Sequence, residues 1–306
     1  MQTEERLRAD IVEVGRRLHE RGFVASNDGN ISVRLEGDRL LTTPTGVSKG
    51  FMTPDMMVTT DLAGGKLTGE REPSSEILMH LAVYENRPEI KAVVHAHPPT
   101  ATGFAVAGIP LDRAVLAEVV TTLGSIPIAD YGTPSTSELA DAVRQYIRAH
   151  DGLLLANHGA LTVADELFAA YYKMETVEHF ARISLVARQL GRERLLSREE
   201  VNRLQDLRDR YGIAAPAPIC PTDPENGPDL SCQTLEAPAQ PGEQVVDTQA
   251  VDSSRAGTRD ASDESHGGSG RQPLDLGSGL LGSDEEIRLT YRELTALIAD
   301  AVKQLQ

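Results

Sequence analysis

The sequence predicts one mixed domain of the α/β or α+β class over residues 1–213, then a disordered linker at 214–282 and a single helix at 283–306. Three observations predict this. Short apolar runs of strand type alternate with longer stretches of helical period up to Ile213. From Ala214 the chain turns to Pro, Gly, Ser, Asp and Gln, and residues 214–282 hold no aromatic side chain. Such a segment buries too little apolar surface to offset the entropy of ordering it. At Ser283 a helical pattern returns.

The elements follow in order. Residues 3–21 read as an amphipathic helix stopped by Gly22. Residues 30–35 and 39–43 read as two strands joined by a Glu36-Gly37-Asp38 turn, and 53–60 as a further strand region before the turn DLAGGK. Pro73-Ser74-Ser75-Glu76 has helix-start chemistry and opens a helix running to Asn86. IKAVVHAH, residues 90–97, reads as a buried strand, followed by a short helix at 98–106. A strand at 125–129, a helix at 135–150, the apolar strand GLLLAN at 152–157 and a long helix at 165–190 complete the domain. In the terminal helix Ile287, Tyr291, Leu294, Ile298, Val302 and Leu305 share one face, and Ser283 with Glu286 makes a capping box.

Composition excludes several roles. The net charge of −16 argues against a nucleic-acid partner. The acid is concentrated: residues 214–286 carry 14 Asp or Glu against 3 Arg, so the domain itself can still hold a positive pocket. No apolar run reaches the roughly eighteen residues of a membrane helix. The charged N-terminus lacks the apolar core of a secretory signal, so a cytoplasmic protein is expected. Cys220 and Cys232 lie in a polar stretch and read as exposed thiols.

Two constellations carry chemistry. His95 and His97 are two apart on a strand and so share a face. Alone, this spacing fits two polar residues at a strand end as well as a metal pair. His158 follows a second apolar strand, and two adjacent strands ending in His would bring three imidazoles together. Glu76 is either a fourth ligand or a first-turn acid answering the helix dipole, and spacing leaves that open. His80, one turn on, reads as structural or supporting. The second constellation is Asn27-Asp28-Gly29-Asn30, Thr45-Gly46 and Ser74-Ser75, which offers hydroxyls, amides and backbone N–H groups to an anion, or simply turns and caps.

Together SNDGNISVR, LTTPTG, PSSE, VVHAHPP and LLANHGAL resemble, in order and spacing, the class II aldolase/adducin family. The resemblance spans residues 5 to 212. It implies a three-layer α/β/α sandwich around a mainly antiparallel sheet, assembled as a homotetramer. It implies zinc, or another divalent metal, held by His95, His97, His158 and Glu76, with Glu76 also the acid/base. It implies a substrate phosphate on Gly29, Asn30, Thr45, Gly46, Ser74 and Ser75. The activity implied is cleavage of a sugar phosphate, such as L-fuculose 1-phosphate, to dihydroxyacetone phosphate and an aldehyde such as lactaldehyde. A pentulose-phosphate 4-epimerase or a dehydratase would use much the same metal set, and a non-catalytic adducin-like scaffold is the contrasting class. The fuculose-cleaving members carry a Tyr before the SIP strand; here that stretch reads AVLAEVVTTLGSIP, and Tyr131 lies beyond it.

The tail resembles the encapsulation peptides of bacterial microcompartment enzymes. That resemblance implies docking of residues 283–306 on shell or cargo proteins, and a location inside such a compartment.

Overall fold

In a computed structural model of the chain, the described residues are 3–210 with the short antiparallel pair Thr222–Asp223 and Gly227–Pro228. The linker expected at 214–282 falls outside them apart from that pair, and the helix expected at 283–306 falls outside them entirely.

Eight strands form one sheet: β1 (Asn30–Leu35), β2 (Arg39–Thr42), β3 (Val58–Asp61), β4 (Lys66–Thr68), β5 (Ala92–Ala96), β6 (Ile128–Ala129), β7 (Gly152–Leu155) and β8 (Gly159–Ala164). Their order is β4-β3-β2-β1-β5-β8-β7-β6. Every pairing is antiparallel except β6 with β7. Among the described residues seven α-helices accompany it: α1 (Glu4–Glu20), α2 (Ile77–Asn86), α3 (Pro99–Val106), α4 (Ala117–Thr122), α5 (Ser137–Tyr146), α6 (Leu167–Gln189) and α7 (Arg198–Arg210).

Side-chain alternation along the strands sorts the helices into two layers. Ala92, Val94 and Ala96 of β5, with Leu154 of β7, pack against α1, α3 and α6 through Ile11, Phe104, Met174 and Phe180. Val93, Leu153, Leu155 and Leu161 face α2 and α5 through Met79, Leu81, Leu139 and Val143. Both faces are covered, which is why β5, β7 and β8 read as continuous apolar runs and not as alternating ones. The expected three-layer sandwich with a mainly antiparallel sheet is the observed fold. Among the described residues no helix is long and apolar enough to cross a membrane.

Several element boundaries differ from the sequence expectation. The strand region expected at 53–60 starts only at Val58; Pro54, which has no N–H to give a ladder, opens a 3-10 turn at Pro54–Met56 instead. The strand expected at 125–129 is only Ile128–Ala129, with Ile126 bridged to Leu111. The helix expected from 135 begins at Ser137, because Thr136 takes the cap and accepts from the Glu138 N–H at 3.2 Å. Four elements were not foreseen: β4, α4, β8 and α7. The omission of β8 matters most, since it lies between β5 and β7, so the two strands expected to be adjacent are separated.

Candidate active site

Antiparallel register gathers the site at one edge of the sheet's centre. Asn30 opens β1 opposite His95 near the end of β5, and Ala96 pairs with Ala160 near the start of β8. The turn from β7 to β8 is three residues long, Ala156 to His158, between the paired Leu155 and Gly159. Asn157 takes a positive φ of 54° there, a conformation Asn tolerates better than most side chains. His158 is thereby carried over the end of β8 and faces the end of β5.

The three imidazoles converge. Their ring centroids lie 4.9, 4.8 and 5.0 Å apart, and one ligand nitrogen from each falls within 4.8 Å of the others. His95 is fully buried and donates its Nδ1 proton to the Ala160 carbonyl at 2.9 Å. With Nδ1 engaged by that carbonyl, Nε2 is the His95 nitrogen turned into the cluster, 3.1 Å from Nε2 of His97. A ligand His fixed through its other nitrogen is the usual arrangement around a metal. The donor set fits a divalent ion of the zinc type. Asp28 stands 3.4 Å from Nδ1 of His97 and can hold that ring in the same way.

Glu76 occupies the N-cap of α2, one residue before the expected position inside the helix. Its Oε2 lies 3.3 Å from His95 Nε2 and its Oε1 3.2 Å from His158 Nε2. Burial raises its carboxyl, but the His95 and His158 imidazoles outweigh that and hold it well below the ordinary carboxylate range. Burial and the neighbouring His95 and His158 push His97 down to about 4.

Behind Glu76 runs a buried hydrogen-bonded chain. Asn30 Nδ2 donates to Glu76 Oε2 at 2.7 Å, and Asn30 Oδ1 accepts from His80 Nε2. His80 Nδ1 meets Ser32 Oγ at 2.6 Å, and Ser32 Oγ meets the Tyr84 hydroxyl at 2.9 Å. Asn30 Oδ1 can only accept, so the His80 proton sits on Nε2 and Ser32 donates to Nδ1. Burial, then His95, drives His80 down to about 3, which keeps it neutral. His80, expected to be structural or supporting, thus reaches Glu76 through the Asn30 amide.

The polar constellation closes the pocket. Ser74 N–H donates to Thr43 O and Thr45 N–H to Glu72 O, both at 3.1 Å, which lays the Thr45-Gly46 turn beside Ser74 and Ser75. Gly29 has φ 71°, and a Cβ there would stand 2.8 Å from His95 O, so only glycine fits. Gly29, Asn30, Thr45, Gly46, Ser74, Ser75, Glu76, His97 and His158 line one pocket, and His95 adjoins it through His97 and Glu76. Two lining groups were missed in the sequence. Ser135 was expected in a helix but takes a left-handed φ of 67° in the loop before α5. Lys49 carried no signal beyond a lone basic residue after a turn, and it is buried. Burial pushes its amine down to about 8, against the opposing pull of Asp28 and Glu76.

The fold and site together define the class, a mixed α/β sandwich whose polar pocket holds three converged His and a carboxylate that could take a metal ion. Its membership can be stated more narrowly. Residues 9–185 match the family model of the Class II Aldolase and Adducin N-terminal domain, and the chain belongs to that family. It is 34% identical over 181 residues to an L-fuculose phosphate aldolase of Methanococcus maripaludis, covering 59% of this chain and 97% of that one. It is 31% identical over 190 residues to a 3-oxo-tetronate 4-phosphate decarboxylase of Pectobacterium atrosepticum, covering 61% and 87%. A solved L-fuculose 1-phosphate aldolase superposes with a TM-score of 0.62 at 31% identity, covering 67% of this chain and 95% of that one.

Proposed function

We propose that the protein is a metal-dependent aldolase that cleaves a ketose phosphate such as L-fuculose 1-phosphate to dihydroxyacetone phosphate and an aldehyde such as lactaldehyde. One observation carries the reading: a carboxylate, Glu76, lies within 3.3 Å of two of three converged imidazoles, at the wall of a pocket lined by hydroxyls and glycine turns. His95, His97 and His158 would hold zinc or a similar divalent ion, with Glu76 as the fourth ligand. When bound, such an ion would supply Lewis-acid polarisation of the substrate's carbonyl and hydroxyl oxygens. Glu76, steadied by the Asn30 amide, moves the proton at the carbon next to that carbonyl. Thr45, Gly46, Ser74 and Ser75, with Gly29 and Asn30, take the phosphate and so orient the reacting carbons.

The identity to a 3-oxo-tetronate 4-phosphate decarboxylase favours a second reading, in which the same site releases carbon dioxide from a 3-oxo acid phosphate. Both reactions leave negative charge on a carbon beside a carbonyl. A parallel assay separates them: dihydroxyacetone phosphate from L-fuculose 1-phosphate or L-rhamnulose 1-phosphate, glycolaldehyde phosphate and dihydroxyacetone from L-ribulose 5-phosphate, and carbon dioxide from 3-oxo-tetronate 4-phosphate. Dihydroxyacetone phosphate from a ketose 1-phosphate, with no carbon dioxide from 3-oxo-tetronate 4-phosphate, is the expected result. Turnover of none of these by the zinc-loaded protein sinks both readings. An epimerase of the same family would interconvert the pentulose phosphates without releasing a fragment.

The amphipathic pattern at 283–306 supports a further role as microcompartment cargo. Fusing that segment to a fluorescent protein tests it: puncta are expected in cells with assembled shells, and diffuse signal there counts against it.

A further inference from the structure

Lys49 is only 2% exposed, yet no carboxylate of the described residues forms an ion pair with it. Its Nζ donates to two neutral groups, the carbonyls of Asn27 at 3.0 Å and Val47 at 2.7 Å. Asp28 and Glu76 act on it only through space. A buried charge is unfavourable unless something compensates it, and two carbonyls do so only in part. An ammonium also has three N–H donors, of which these contacts use two.

The position of this amine is informative. Asn27 belongs to the loop before β1 and Val47 to the turn after β2, so Lys49 ties together the two loops that form one side of the pocket. Among the described residues it is the one Lys or Arg lining that pocket. The proposed phosphate partners, Gly29, Asn30, Thr45, Gly46, Ser74 and Ser75, are all uncharged. The only carboxylates beside them, Asp28 and Glu76, repel an anion. Among the described residues, a dianion entering this pocket meets no other fixed basic side chain.

We propose that Lys49 is the counter-charge for the substrate's phosphate monoester, its third N–H donating to that group while the other two hold the cradle's loops together. This rests on the sugar-phosphate reading of the site. It makes Lys49 a determinant of affinity for the dianionic end of the substrate, not a participant in bond cleavage.

The competing role is a mere staple between the loops, and glutamine separates the two. In K49Q an amide NH2 can still donate to both carbonyls, but the charge is gone; K49R keeps the charge. The full-length, metal-loaded protein is titrated calorimetrically with inorganic phosphate, and KM and kcat are measured on the substrate found above. K49Q is expected to melt near the wild type, bind phosphate at least tenfold more weakly and raise KM by a similar factor with little change in kcat. K49R is expected to keep most of the affinity. Phosphate binding undiminished in K49Q overturns the proposal and leaves the staple. Wild-type protein that does not bind phosphate overturns the sugar-phosphate reading and this inference with it. Should K49Q fail to fold, the wild type is compared on phosphate and acetate: affinity for the dianion must exceed that for the monoanion by more than tenfold, and equal affinity refutes the counter-charge.

Discussion

Adding one methyl group at Gly159 should weaken the proposed metal site without unfolding the domain. A Cβ at this position would stand 2.5 Å from Cδ2 of His97, 2.6 Å from the Ala96 carbonyl and 3.2 Å from Cε1 of His95. Ordinary carbon contacts begin near about 3.5 Å, so the His97 ring must retreat by about 1 Å. The carbonyl cannot yield as easily, because Ala96 is paired with Ala160 in the sheet. Gly159 does not have a positive φ, so its own backbone angles accept alanine, and the strain falls on the two rings and the Ala96 carbonyl. Ligand distances in a metal site tolerate only about ±0.2 Å. Gly159→Ala is therefore expected to weaken zinc binding by roughly 10–100-fold, the range seen when the supports of ligands are disturbed. A displacement of about 1 Å also costs on the order of 10²-fold in kcat/KM. Competition with a chromophoric chelator reads the metal affinity, the retro-aldol assay reads turnover, and circular dichroism checks the fold. Should the variant bind zinc as tightly as the wild type and turn over fully, the three imidazoles are not a metal site.

The remaining expectations follow from the same geometry. Glu76→Gln should fold and keep metal on its three imidazoles but lose roughly 10²–10⁴-fold in turnover, as removal of a general acid/base does; full activity would remove that role. His80→Leu leaves Asn30 Oδ1 and Ser32 Oγ without their buried partner, costing about 1–3 kcal/mol in a denaturant titration. It should also lower kcat with little change in KM, because the amide that steadies Glu76 is no longer held; unchanged stability and kcat would count against the relay. Phosphate affinity should depend on pH with a defined sign. Lys49 is a cation below its value of about 8 and loses charge as pH rises through it, while Asp28 and Glu76, the carboxylates acting on it, only repel the anion. Affinity measured by calorimetry should therefore fall above pH 8 in the wild type and stay level in K49R, since arginine does not deprotonate there. A level wild-type profile would contradict this account.

How much of this site was legible beforehand depended on whether its geometry is written in local sequence. His95 and His97 were legible because strand parity alone puts them on one face. His158 was reached by a wrong route: the expectation joined two strands that β8 in fact separates. The convergence survives because β8 runs antiparallel to both neighbours and begins beside the ends of both, so a tight turn returns His158 to the end of β5. GALTVA was passed over since a short, fully buried run between an apolar strand and a long helix has no period of its own.

Behind Glu76, His80 was legible from its one-turn spacing and Asn30 from the polar constellation, but the connection between them was not, and for a physical reason. Asn30, His80, Ser32 and Tyr84 act on Glu76 through hydrogen bonds between β1 and α2, at separations of 46 to 52 residues. No spacing rule spans that distance. Lys49 is harder still, because its meaning lies in what it lacks, a carboxylate partner, and a sequence records no such absence. The ligands of such a site can therefore be read from strand ends, whereas the groups that tune them emerge only once the sheet has brought remote segments together. That asymmetry locates the informative experiments at Gly159, His80 and Lys49, where altered function would report on the packed structure and not on a motif.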